Sequence, residues 1–171
     1  MIRIVIAEDQ EMMLAAIGSL LNLEDDLEVV GLAANGDEAI NLVYRLRPDV
    51  CLMDIEMPVK SGLEAAEILK PFDCKVIILT TFAKKGYWQR ALKANVRGYL
   101  LKDSPSDELA DSIRSIITGN RVFSQELMDE EFHRIEEAPV NPEVPHDKPM
   151  LGTMKKYLST LLREKMKMPT G

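Results

Sequence analysis

Residue types that carry chemistry in many enzymes are scarce in this chain. Its 171 residues include two cysteines, two histidines and one tryptophan. Cys51 and Cys74 are too few for a disulfide framework or a zinc site, and His133 and His146 lie far from both along the sequence. The sequence therefore disfavours a zinc protein and an enzyme that uses histidine as its catalytic residue.

Long apolar runs are also absent. No stretch approaches the roughly 20 apolar residues that a transmembrane helix needs, and Met1 leads directly into a short β-branched segment without a cleavable signal pattern. With 46% hydrophobic and 29% charged residues, the composition is that of a soluble chain with one core of ordinary size and a small appendage. We therefore expect a cytoplasmic protein.

Charge is distributed unevenly behind a net value of -7. Residues 148–171 contain six basic residues and one acidic residue, whereas residues 1–147 contain 15 basic and 27 acidic residues. The chain thus has an acidic body and a basic tail. Net acidity alone does not exclude nucleic acid as a partner of the tail.

The first 120 residues alternate short β-branched runs with longer runs of helical period. Strands are predicted at 3–7, 28–33, 50–53, 75–80 and 98–101. Helices are predicted around 13–21, 39–46, 65–69 and 83–94, and from an N-cap at Ser106 to Gly119. Strands that are apolar on both faces favour a parallel sheet with helices on both sides. The predicted fold class is therefore α/β, with a doubly wound sheet of five parallel strands.

A different composition follows residue 120. Residues 121–137 are interpreted as a connecting, mainly acidic helix, and four prolines within 138–149 favour an extended linker. Residues 150–171 form a basic segment of helical period. We expect this C-terminal extension to be helical and partly disordered.

Polar residues follow four of the predicted strands. Glu8 and Asp9 end the first strand, Asp54 the third, Thr80 the fourth and Lys102 the fifth. Ligands of parallel α/β sheets bind at the carboxyl ends of the strands, so these side chains are expected to converge. Three neighbouring carboxylates repel one another unless a cation compensates, and Mg²⁺ prefers oxygen ligands. The sequence therefore predicts a magnesium site.

The same residues fit the transfer of a phosphoryl group onto a carboxylate. Asp54 is the predicted nucleophile because it ends the central strand. Thr80 is placed to hydrogen-bond the new phosphate, and Lys102 adds a positive charge suited to a phosphoryl oxygen. Neutralising charge on those oxygens is most of what such a reaction requires.

Four motifs together resemble the receiver domain of two-component response regulators, which has the CheY-like, flavodoxin-type fold with strand order 2-1-3-4-5. They are Glu8-Asp9, Met53-Asp54-Ile55-Glu56-Met57-Pro58, Thr80 and Tyr99-Leu100-Leu101-Lys102-Asp103. The resemblance covers residues 1–120. Within that family, the segment 99–103 and Leu63-Glu64-Ala65-Ala66 are similar to transcription regulators of the NarL/LuxR type.

This resemblance implies a signalling protein rather than an enzyme, one that assists its own phosphorylation and dephosphorylation. Asp54 would accept a phosphoryl group from a phosphohistidine of a sensor histidine kinase. Mg²⁺ would be bound directly by Asp9 and Asp54, through water by Glu8 and by the backbone carbonyl of Glu56. Lys102 would bind the phosphate.

The resemblance also implies a conformational switch. Thr80 and Tyr99 would form its two parts: when phosphate draws the Thr80 hydroxyl inward, the Tyr99 ring turns into the vacated space. The apolar faces of the first helix, around Met12, are either ordinary core or a contact with the kinase and a second receiver. We favour the second interpretation and expect a homodimer on phosphorylation.

The sequence departs from the family pattern at three places. Asp103 rather than proline follows Lys102, so no cis peptide is expected there. Val59 stands where glycine is frequent and is expected to alter the loop beside Asp54. Asn95 also stands where glycine is usual, a mild change because asparagine tolerates left-handed backbone angles.

Residues 151–165 are similar to the recognition helix of the NarL/LuxR helix-turn-helix. Thr153 as N-cap, followed by Lys155 and Lys156, suits contacts with DNA phosphates and base edges. The helices that precede it in the family are absent, so the segment resembles a truncated helix-turn-helix. It belongs to an internally deleted regulator, serves as an amphipathic partner element, or is disordered. We expect weak or no binding to operator DNA.

Two alternative functions differ in class. A stand-alone receiver could act as a phosphate sink or a protein-binding switch without DNA. A phosphatase of the haloacid-dehalogenase type also uses an Asp-x-Glu motif, but its nucleophile ends the first strand of the sheet. Asp54 ends the third predicted strand, which disfavours the phosphatase.

Overall fold

Six short parallel strands form the centre of the computed structural model, which describes residues 1–81, 84 and 86–129. Their order in the sheet is β2-β1-β3-β4-β5-β6, and every neighbouring pair is parallel. The strands are β1 (Ile2–Ala7), β2 (Leu27–Ala33), β3 (Val50–Asp54), β4 (Lys75–Thr80), β5 (Gly98–Leu101) and β6 (Val122–Phe123). By their contacts, the residues divide into units 1–135 and 136–171, and all described residues belong to the first.

Five helices cover both faces of this sheet. They are α1 (Glu11–Leu21), α2 (Gly36–Leu46), α3 (Gly62–Leu69), α4 (Tyr87–Lys93) and α5 (Ser106–Ile117). The apolar residues of α2, α3 and α4 share one core cluster with one face of the strands, and those of α1 and α5 share a second cluster with the other face. In β1, for example, Val5 belongs to the first cluster and Ile4 and Ile6 to the second. The predicted doubly wound α/β fold is confirmed.

Three details of the predicted elements were wrong. The sheet has six strands rather than five, because Val122–Phe123 pairs with β5. Helix α4 begins at Tyr87, whereas the predicted start was near residue 83. Lys84 lies before the helix, in irregular structure. Ser106 is the first residue of α5 instead of its N-cap; Pro105 holds the cap position, where its ring fixes φ at -54°.

The described part of the connecting segment is short. Residues 125–129 are helical, and Leu127 is buried in the core cluster that also contains Trp88 and Ala91 of α4. The remainder of the predicted helix, 130–137, lies outside the described residues. So do the linker 138–149 and the segment 150–171, including Thr153, Lys155 and Lys156. Within the described part of the chain, no helix is long and apolar enough to cross a bilayer.

Candidate functional site

Three carboxylates meet at the carboxyl end of the sheet. Glu8 and Asp9 directly follow β1, and Asp54 is the last residue of the adjacent strand β3. Each residue offers an oxygen within 4.8 Å of the other two. Glu8 and Asp54 are buried and Asp9 is exposed, so the cluster opens to solvent on the Asp9 side.

Lys102 bridges the two buried carboxylates. Its Nζ lies 2.5 Å from Glu8 Oε2 and 3.0 Å from Asp54 Oδ2, and all three side chains are less than a tenth exposed. The backbone positions it, since the Lys102 N–H donates to the Thr80 carbonyl oxygen (2.9 Å) just beyond the paired residues of β4 and β5. One ammonium thus bridges two carboxylates of a cluster of three, which leaves a local excess of negative charge when all three are ionised.

Burial and neighbouring charges act on these groups in opposite directions. Burial raises the pKa of Glu8, and the charge of Asp54 adds to this, while hydrogen bonds from Lys102 and the Gln10 N–H partly counter it. Burial would lower the pKa of Lys102, but the hydrogen bonds to Glu8 and Asp54, together with the negative charges of these two carboxylates, raise it. Lys102 therefore remains a cation at neutral pH.

Backbone donors fix the two buried carboxylates. The Ile55 N–H donates to Asp54 Oδ1 (2.7 Å), and the Gln10 N–H donates to Glu8 Oε1 (3.1 Å). With Lys102 on Oδ2, both Asp54 oxygens have a donor. The acceptor candidate is thus held in one orientation before any ligand arrives.

The loop between β3 and α3 is packed against Asp54 at a glycine. A Cβ on Gly62 would lie 2.0 Å from the Asp54 carbonyl oxygen, so only glycine fits this approach. The Gly62 N–H also donates to the Ile55 carbonyl (3.0 Å). At the start of α3, Ser61 and Glu64 form a capping box. The backbone around Asp54 is therefore closely determined.

Val59 in this loop adopts a left-handed backbone conformation, with φ of 66°. That region suits glycine and is strained for a β-branched residue. The side chain is 80% exposed, so its packing does little to offset the strain. Asn95, another departure from the family pattern, has φ of 60° and accepts a hydrogen bond from Arg121 Nη2 (2.5 Å).

The Glu56 side chain does not join the three clustered carboxylates. It accepts hydrogen bonds from Lys84 Nζ (2.7 Å) and the Tyr87 hydroxyl, across the loop that leads into α4. Both hydrogen bonds lower the pKa of Glu56, and the bond from Lys84 has the larger effect. Sequence reasoning missed this contact, because no local pattern pairs residue 56 with residue 84.

The two residues of the predicted switch lie on adjacent strands. Tyr99 in β5 is opposite Ile78 in β4, and Thr80 follows two positions later on the same face of the sheet. Both Thr80 and Tyr99 are buried. The Tyr99 ring packs against Trp88 of α4, with 5.6 Å between ring centroids.

The family model of the response regulator receiver domain matches residues 4–114. The chain belongs to the response regulator family. This receiver domain is also similar to a solved LuxR-family DNA-binding response regulator from Staphylococcus aureus. The two share 36% identity and a TM-score of 0.65, over 68% of this chain and 99% of that one.

Two relatives from Bacillus subtilis are similar in sequence to this response regulator. The transcriptional regulatory protein DesR is 50% identical over 184 residues, which cover 96% of this chain and 90% of DesR. The uncharacterized transcriptional regulatory protein YvfU is 60% identical over 129 residues, which cover 74% of this chain and 64% of YvfU. The chain is accordingly a two-component response regulator of the kind that controls transcription.

Proposed function

We propose that Asp54 of this response regulator accepts a phosphoryl group from a phosphohistidine of a sensor histidine kinase. One observation carries the proposal: Glu8, Asp9 and Asp54 converge within 4.8 Å beside the ammonium of Lys102. Asp54 is the acceptor because it ends one of the two central strands and its carboxylate has a fixed orientation. The protein acts as a phosphoacceptor that assists its own phosphorylation and dephosphorylation.

The donor set fits Mg²⁺. The three clustered carboxylates supply hard oxygen ligands, and one ammonium does not balance their charge. We propose that Asp9 and Asp54 bind the ion directly, Glu8 through water and Glu56 through its backbone carbonyl. When bound, the ion supplies positive charge to the phosphoryl oxygens.

The side chains of the receiver have separate roles in transfer. A carboxylate oxygen of Asp54 forms the new bond to phosphorus while the bond from phosphorus to the histidine nitrogen breaks, and that nitrogen keeps the electron pair. Lys102, already 3.0 Å from Asp54 Oδ2, moves onto a phosphoryl oxygen. Thr80 donates its hydroxyl to another oxygen and initiates the switch in which Tyr99 follows.

Incubation with acetyl phosphate and Mg²⁺, followed by mass spectrometry, tests this function. We expect a phosphoryl mass increment on the Asp54 peptide of the wild type, lost in Asp54→Ala and when Mg²⁺ is chelated. Asp37→Ala is the matched control, because Asp37 is half exposed and forms a surface ion pair with Lys60, away from the three clustered carboxylates. Labelling that persists in Asp54→Ala would show that another group accepts phosphate.

We propose that residues 138–171 form a shortened output segment. The DesR alignment runs over 184 positions, whereas the covered 96% of this chain is about 164 residues, so about 20 positions have no residue here. The YvfU match contains almost no such gaps, since 129 positions cover 74% of the chain, about 127 residues. This comparison supports a loss outside the receiver.

Thr153, Lys155 and Lys156 are the proposed DNA contacts of that segment, with weak or no binding as the expected outcome. Selection from random-sequence duplexes at low and high salt tests this expectation. We expect enrichment at neither salt concentration, because a few phosphate contacts without a supporting scaffold are lost as salt rises. Enrichment of one sequence at high salt would overturn it.

A further proposed partner is a second copy of the receiver. Met12, Leu20 and Leu23, in and just after α1, are 88%, 45% and 78% exposed, although Ile17 and Leu21 of the same helix are buried. Helix α1 therefore presents apolar surface beyond what the core requires. We propose that α1 and α5 form the dimer contact on phosphorylation. The protein acts in the cytoplasm with its kinase.

A further inference from the structure

The residues that follow α5 are attached to the strand that contains Tyr99. Strand β6 pairs with β5, and Phe123 lies opposite Tyr99 in that pairing. The Ser124 N–H donates to the Tyr99 carbonyl oxygen (2.8 Å). The segment that leaves the receiver towards the C-terminal region is therefore bonded to the backbone of the proposed switch residue.

Trp88 of α4 contacts both aromatic rings. Its ring centroid lies 5.6 Å from that of Tyr99 with an interplanar angle of 57°, and 4.8 Å from that of Phe123 with an angle of 88°. The second contact is edge-to-face, a favoured arrangement of aromatic pairs. Since Trp88 is only 3% exposed, a displacement of the Tyr99 ring changes the packing of Trp88 and through it that of Phe123.

Leu127 adds a second anchor for the same segment. It lies in the helical residues 125–129, is 1% exposed, and belongs to the core cluster that contains Tyr99 and Trp88. We call Trp88, Tyr99, Phe123 and Leu127 the Trp88 cluster. The packing of this cluster thus adds to the strand pairing that holds residues 122–129 against the receiver.

The docked arrangement leaves one polar group unsatisfied. Trp88 Nε1 is buried and has no hydrogen-bond partner among the described residues. A buried N–H without an acceptor is destabilising relative to one that reaches water or an acceptor. An alternative packing in which the indole N–H gains a partner recovers that energy, which brings the two arrangements closer in free energy.

We propose that Trp88 and Phe123 are positioning residues that transmit the state of Asp54 to residues 122–129. This proposal rests on the proposed function, in which phosphorylation draws Thr80 towards the phosphate and Tyr99 follows. The ring then withdraws from Trp88, the contact between Trp88 and Phe123 is lost, and residues 122–129 undock. Linkage requires the reverse as well: undocking the segment favours the phosphorylated conformation of the receiver.

Hydrogen exchange and fluorescence of the full chain test the forward direction. With beryllofluoride and Mg²⁺ as the probe, we expect faster amide exchange in residues 122–129, by about fivefold or more, as an ordinary coupling gives. Trp88 is the only tryptophan of the chain, so its emission reports the cluster directly, and we expect it to change on addition of the probe. Neither change is expected in Asp54→Asn.

Variants test the reverse direction. Phe123→Ala weakens docking and is expected to bind beryllofluoride more tightly than the wild type, by about threefold or more. Phe72→Ala is the matched control, because Phe72 is also a half-buried phenylalanine packed against the same core cluster but lies away from Tyr99. The conservative variant Phe123→Leu should restore affinity towards the wild-type value.

The outcomes separate the two proposals. Modification of Asp54 by acetyl phosphate, with no change in exchange at 122–129, would overturn transmission by Trp88 and leave the phosphoacceptor function intact. Equal beryllofluoride affinities of Phe123→Ala and Phe72→Ala would also overturn it. An Asp54 that is never modified would overturn both proposals.

Discussion

Val59 is the residue whose backbone conflicts most clearly with its side chain. Its φ of 66° lies in the left-handed region, and the loop around it is held by Gly62 and by the capping box of α3. These neighbours fix the loop in a shape that glycine adopts freely. The loop keeps this glycine-like conformation with valine in place.

Val59→Gly is therefore expected to stabilise the receiver. Relief of left-handed strain outweighs the greater entropy of glycine in the unfolded chain, for a net gain of about 1 kcal/mol. Urea unfolding of the two proteins measures the difference. Val59→Ala retains a Cβ and should gain less, and a Val59→Gly variant less stable than the wild type would contradict the argument.

Single residues also show what the sequence could predict. Glu8, Asp54 and Lys102 could be placed together because each follows a predicted strand and parallel strands present their carboxyl ends at one edge. The contact of Glu56 with Lys84 could not be predicted, because it depends on side-chain directions across two loops. Ser106 was wrongly taken as an N-cap because residue type favours serine there, whereas the fixed φ of Pro105 already starts the helix.

At the scale of elements, prediction succeeded where the pattern was long. Apolar periodicity predicts five of the strands and all five helices. The observed first and last residues of these elements differ from the predicted ones by a few positions. Strand β6 has two residues, too few for any alternation, and exists because Phe123 and Ser124 find partners in β5. The sequence did not predict the Trp88 cluster either. This cluster joins α4, β5 and the residues after α5, which are far apart along the chain.

Helix α5 is attached to the loop before β2 by one arginine. Arg114 donates to Asp26 through two nitrogens (2.7 and 2.9 Å), to Glu24 (2.6 Å) and, within α5, to Asp111 (3.0 Å). The hydrogen bonds from Arg114 hold the pKa of Asp26 below its ordinary value. This network ties α5 to the loop between α1 and β2.

An acid titration of stability tests that network. Because the folded-state pKa of Asp26 is lowered, its stabilising contribution is present above the ordinary aspartate pKa, about 4, and is lost as pH falls through the lowered value. Arg114→Met should remove this part of the pH dependence, so thermal unfolding of the variant declines less steeply below about pH 4. Identical slopes for the variant and the wild type would contradict this role of Arg114.

The whole molecule combines an acidic receiver with a basic C-terminal segment. The fold and the carboxylate cluster could be read from residues 1–120, because their patterns are local and strand ends converge. The number of strands, the docking of Leu127 and the arrangement around Trp88 depend on contacts between distant residues, which one sequence does not reveal.

For the whole molecule, we predict that two receivers form a dimer on phosphorylation. Leu20→Glu places a charge on the exposed face of α1 and is expected to keep the protein monomeric in sedimentation with beryllofluoride and Mg²⁺. The wild type is expected to dimerise under the same conditions. Ile68→Glu in α3 is the matched control, since Leu20 and Ile68 are both 45% exposed. A wild type that stays monomeric, or a dimer lost equally in both variants, would count against the α1 and α5 contact.

The close approach of Gly62 to the Asp54 carbonyl has a consequence for engineering. Grafting Glu8, Asp9, Asp54 and Lys102 onto another parallel α/β scaffold would reproduce the charges of the proposed acceptor site but not its backbone support. Any side chain at the position of Gly62 would collide with the backbone that carries the aspartate. A graft of the proposed acceptor site therefore has to include Gly62, although this residue has no functional group. A graft without the glycine is expected to bind metal but to hold the aspartate equivalent to Asp54 out of position.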